Sequence, residues 1–81
     1  MFFYHTGEEV RKGDLVLWGL RRGIVEFILI PNTKNAEDFD APDGGIMLLV
    51  DWEGNDKNSI METPDGEGIF DEDLEFVERA K

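Results

Sequence analysis

Nine glycines and three prolines cut this chain of 81 residues into short pieces, and the pieces show almost no apolar periodicity of the helical kind. The apolar runs between the breaks are short and rich in Val, Ile and Phe, a composition that suits strands. Five strands are predicted, at residues 14–19, 23–30, 45–52, 58–63 and 75–79. Gly19-Leu20-Arg21-Arg22-Gly23 reads as the turn of a hairpin, Glu53-Gly54-Asn55-Asp56 as a second turn and Pro64-Asp65-Gly66 as a third. Residues 31–45 form a long polar loop, and loops of that length in small domains are often functional or mobile. Asp71-Glu72-Asp73-Leu74 reads as one short helical turn, with acids at its start to suit the helix dipole.

Five short strands with tight turns make one small, strongly bent sheet in a single domain spanning residues 1–81. Closing such a sheet removes its exposed edges. The expected fold class is therefore all-β, an SH3-like barrel, with an OB-like barrel as the alternative. The second strand is apolar on both parities, with Ile24, Ile28 and Ile30 on one and Val25, Phe27 and Leu29 on the other. In the third strand Ile46, Leu48, Val50 and Trp52 share one face, which places Trp52 in the core, and Met47 and Leu49 share the other. A one-sided sheet in water alternates apolar with polar, so something must cover the second face. Met1-Phe2-Phe3-Tyr4, the curvature of a barrel, a partner and a second copy of the chain are the candidates.

Charge narrows the partner. Nineteen acidic residues face eight basic ones, a formal net charge of -11, while 41% of residues are hydrophobic. This is the composition of a folded domain with a strong negative field, which repels nucleic acid and anionic lipid and attracts basic protein surfaces. Arg11-Lys12 and Arg21-Arg22 are the only basic clusters. The chain has no cysteine, which suits a reducing cytoplasm. The opening MFFYHTGEE lacks the basic start of a signal peptide, and no apolar run approaches the roughly 20 residues that span a bilayer.

No residue cluster announces a reaction. His5 and Ser59, the only histidine and serine, lie in contexts without a nucleophile elbow. Zinc ligands are lacking. Asp38, Asp40 and Asp43 precede Gly44, but counted from Asp38 the glycine falls at position seven and Leu49 at position twelve, so the EF-hand pattern fails. Paired carboxylates for glycoside hydrolysis need a cleft, and a domain this small is expected to offer little concave volume. The expectation is a non-enzyme without cofactor or metal.

The run Thr6-Gly7-Glu8-Glu9-Val10-Arg11-Lys12-Gly13-Asp14-Leu15-Val16, then Gly23-Ile24-Val25, Gly44-Gly45-Ile46-Met47-Leu48-Leu49-Val50 and Glu72-Asp73-Leu74-Glu75-Phe76-Val77-Glu78-Arg79, resembles small bacterial SH3-like proteins. Some of these resemble immunity proteins encoded beside secreted toxins. The resemblance covers about half the chain, departs from it in the middle loop, and brings no catalytic residue across. It implies an accessory or inhibitory role.

The leading expectation is an acidic protein-binding module, in its most concrete form an immunity-type inhibitor of a basic toxin. Phe39, an aromatic among Glu37, Asp38 and Asp40, is the preferred anchor, with Asp43 and Trp18 beside it; the acidic turn at Asp71 lies outside this site. The alternative is a homo-oligomeric scaffold that buries Val25, Phe27, Leu29, Met47 and Leu49. A nucleic-acid barrel is disfavoured by charge. The chain is expected to be a monomer or homodimer.

Overall fold

The computed structural model describes residues 1–54 and 56–80; Asn55, in the second predicted turn, lies outside them. Strands form where the apolar runs fall: β1 (Leu15–Trp18), β2 (Arg21–Leu29), β3 (Gly45–Asp51), β4 (Lys57–Glu62) and β5 (Leu74–Glu78). They make one antiparallel sheet in the order β4-β3-β2-β1-β5. The fold is therefore all-β, but the sheet is open: β4 and β5 are its edges and do not pair with each other among the described residues. The N-terminal segment is tied in separately, through bridges from Phe3 to Glu9 and to Ile69. The predicted helical turn near the end is a single turn, closed by the Leu74 N–H on the Asp71 carbonyl at 3.0 Å, and does not extend into a helix.

The main core lies on one face of the sheet. Ile46, Leu48 and Val50 point into it with Val25 and Val16, and Phe2, Tyr4, Val10 and Phe70 cover them. The N-terminal aromatics thus cover this face and not the second one. Trp52 is not core: it lies just past β3 and is 37% exposed.

A bulge at Glu26 explains the two apolar parities of β2. The register with β3 shifts between Val25 and Phe27, so Val25 and Ile28 face the main core while Phe27 and Leu29 face the other side. That side is covered by α1 (Lys34–Asp38), which lies inside the predicted polar loop. Ala36 and Ala41 pack on Leu29 there, and all three are almost fully buried. The helix has a cap at each end. The Thr33 hydroxyl accepts from the Ala36 N–H at 3.3 Å. Asp40 then turns left-handed at φ 59, its N–H bonds the Glu37 carbonyl and the Ala41 N–H bonds the Ala36 carbonyl, the pattern of a Schellman motif. The loop returns through Gly44 at φ +87, where a Cβ would stand 2.7 Å from the Leu29 carbonyl oxygen and from the Phe2 ring, so only glycine fits.

Among the described residues one charged group is fully buried. Asp14 accepts from the Tyr4 hydroxyl at 2.6 Å and the Arg11 N–H at 2.9 Å, and Arg79 Nη1 lies 3.0 Å from both its oxygens. Arg79 Nη1 also donates to the Glu9 carbonyl at 2.8 Å, and its guanidinium sits 5.1 Å from the centre of the Phe76 ring. Burial first, then the Asp14 hydrogen bond and charge, push the Tyr4 phenol well above its ordinary range.

Candidate functional site

The β1–β2 hairpin turns in two residues. Trp18 pairs with Arg21, and Gly19 takes φ 61 at the first turn position, as a type II′ turn requires. This leaves Leu20 at the tip, fully exposed. The Gly19 N–H donates to the Asp73 carbonyl at 2.9 Å, so the hairpin is held against the turn that starts β5. Between them, and reaching the end of β4, lies a groove of about 880 Å³. The little concave volume expected from chain length is thus an underestimate: the long connection from β4 to β5 leaves a trough beside the hairpin.

Trp18 lines this groove, half-buried against the core, and its indole Nε1 donates to Glu62 Oε1 at 2.6 Å. Phe70 and Leu74, both nearly fully buried, line it too. The acidic lining is Glu62, Asp71 and Asp73, with Thr63 beside them. The ion pairs among the described residues are Arg11 with Glu9, Lys57 with Asp51 and Arg79 with Asp14, so none neutralises a groove carboxylate. Arg21 also borders the groove, yet its guanidinium lies 4.0 Å from the centre of the Trp52 ring and bonds the Asp51 carbonyl at 3.4 Å.

The residues expected to form one contact site are divided. Phe39 caps α1 and packs on Phe27, ring centres 5.6 Å apart, with 42% of its surface left exposed. Glu37, Asp38 and Asp40 are exposed beside it. Trp18 lies at the Arg21 end of β2 and Phe39 near the Phe27 end, roughly 20 Å apart along the strand at about 3.3 Å per residue. Asp43 borders a separate hollow of about 380 Å³ with Asp65. Asp71, expected outside the site, shares the groove with Trp18.

The five residues expected to form a free apolar face do not do so. Val25 belongs to the main core, Leu29 is buried under α1 and Met47 is only 8% exposed; Phe27 and Leu49 are partly buried. What stays open on the outer side is a row of cross-strand neighbours, Leu15, Ile24 and Leu49, with Met61 opposite Met47. Sequence reading did not group Leu20, Glu62, Asp71 and Asp73 with Trp18. The one local signal was Leu20, an apolar residue at a hairpin tip.

Compared with protein-family models, with curated proteins and with solved structures, the chain matches none significantly. Among the described residues no helix is long and apolar enough to cross a membrane, and no group of three or more His, Cys, Asp or Glu is placed to hold a metal ion.

Proposed function

We propose that this protein is an acidic protein-binding module of the SH3-like kind, which takes a basic segment of a partner into the groove beside Trp18. The strand order supports the fold reading, because a five-strand meander whose last strand returns beside the first is the SH3-like arrangement. The observation that carries the functional reading is the groove: an aromatic and aliphatic lining next to three carboxylates that no ion pair among the described residues neutralises. Apolar surface supplies affinity there and the uncompensated charge selects a cationic partner. The net charge of -11 steers such a partner from a distance. An immunity-type inhibitor covering a basic toxin in the cytoplasm is the most concrete form of this reading. Phe39 ranks below Trp18 because it stands near the other end of β2 and does not line the groove.

The test is capture from the source lysate with the tagged chain, elution by rising salt, and rebinding of the purified candidate. The reading expects a basic protein whose affinity falls at least about tenfold between 50 and 200 mM salt, because steering between exposed charges is screened. It fails if the rebinding is indifferent both to salt and to Asp71→Asn with Asp73→Asn.

The outer row of Leu15, Ile24, Leu49 and Met61 supports a second reading, self-association through the sheet face. Two copies each carrying -11 repel, which ranks it second. Sedimentation at micromolar concentration decides it: a monomer in moderate salt removes this reading.

A further inference from the structure

We infer that the groove beside Trp18 is a subsite for an arginine side chain, selected over lysine; the inference rests on the binding-module reading above. A guanidinium is flat, weakly hydrated and able to bond two carboxylates at once while stacking on an aromatic ring. An ammonium is compact and strongly hydrated, and it loses more on entering a trough that is half apolar. The groove offers what the guanidinium uses. Trp18 is fixed in orientation by its bond to Glu62, so its ring needs no ordering when a ligand arrives. Asp71 and Asp73 stand on the facing turn, which their own hydrogen bonds hold: Asp71 Oδ1 accepts the Asp73 N–H at 3.1 Å, and the Asp73 carbonyl accepts from Gly19.

The molecule carries the same pairing twice within itself. Arg21 stacks on Trp52 and Arg79 on Phe76. Arg21 is also the cation nearest to hand at the groove, and it is turned onto Trp52 and the Asp51 carbonyl. Among the described residues the groove carboxylates therefore have no cation of their own, and the trough's volume accommodates one long side chain and its neighbours. Arg21 competes weakly with an incoming guanidinium through its charge alone.

The experiment uses the full chain and two blocked hexapeptides, one alternating arginine with glycine and one alternating lysine with glycine. Binding is read by calorimetry and by the indole N–H resonance of Trp18, at about 50 mM salt to limit screening. The arginine peptide is expected to bind at least about fivefold more tightly than the lysine peptide. Asp71→Asn with Asp73→Asn should weaken it about tenfold, and Arg21→Gln should tighten it about twofold by removing a like charge. Glu78→Gln, an exposed acid opposite Leu15 at the other end of β1, should leave it unchanged. Equal affinity for the two peptides overturns arginine selection and leaves the binding-module reading standing. Arginine binding that ignores the groove substitutions but is lost in Asp38→Asn with Asp40→Asn overturns the subsite and moves the contact to Phe39. No binding of either peptide overturns the subsite as well, while capture of the partner reports separately on the reading beneath it.

Discussion

The two ends of β1 set arginine, carboxylate and aromatic side chains side by side, and they resolve the combination in opposite ways. At the Asp14 end the arginine reaches the acid. Asp14 is fully buried, Arg79 and Tyr4 both bond it, and no buried side-chain nitrogen or oxygen among the described residues lacks a partner. At the Trp18 end the arginine turns away: Glu62 is held by the Trp18 indole, Asp71 and Asp73 are exposed, and none of the three has an ion-pair partner among the described residues. The first arrangement is complete without any other molecule, so it stabilises the fold. The second has no cation of its own among the described residues, which is why the proposed partner is placed there. Net charge alone does not separate the two; the destination of each arginine does.

The largest test of this contrast is Arg79→Ala. It leaves a buried carboxylate without its cation, a change worth about 3–5 kcal/mol when both groups are dry. Arg79 is 36% exposed, so water replaces part of the loss and about 2–4 kcal/mol is expected. Urea unfolding should show it as a shifted midpoint with an unchanged slope. Tyr4→Phe comes next, at about 1–3 kcal/mol, because one bond to a charged acceptor is lost while Arg79 remains. The pH dependence has a definite sign. The folded chain holds the Tyr4 proton more tightly than the unfolded chain does, so this contribution is complete below about pH 10 and is lost as pH rises beyond it. The chain has one tyrosine, so phenolate absorbance reads the group directly: the signal should appear together with alkaline unfolding and not before it. Phe39→Ala should cost about 1 kcal/mol, well under the 3–5 of a core aromatic, since its ring is only partly buried. The smallest effect is expected at the groove. Asp71→Asn with Asp73→Asn should leave stability within about 0.5 kcal/mol while binding weakens. A loss there as large as that from Arg79→Ala would erase the distinction between the two ends.

The strands were legible in the sequence to within about two residues, because Gly, Pro and acidic turns bracket each apolar run. What was not legible depends on distance or on brevity. The bulge at Glu26 left no trace, since both parities of β2 were apolar and either phase fitted. The helix at Lys34–Asp38 is five residues long and buries only Ala36, too little for a periodic signal, although Thr33 as its cap was a usable clue. Trp52 followed the parity of β3, but the strand ends at Asp51 and the ring is held by Arg21 instead. The groove joins residues near 20 with residues near 62 and 72, and nothing local relates them.

The link between Asp14 and Arg79 spans 65 positions. Synthesis proceeds at about 5–20 residues per second, so several seconds separate the emergence of the acid from that of its cation. Late in that interval, once Glu62 has emerged, four of the five strands exist with the edge of β1 unfilled, the condition under which nascent β-proteins stick to one another. The surplus acid, read above as a lure for a partner, has an earlier effect here: nascent chains repel each other until the last strand arrives. A chain halted before residue 74 should then stay dispersed yet melt without cooperativity, and neutralising its acidic turns should make it precipitate.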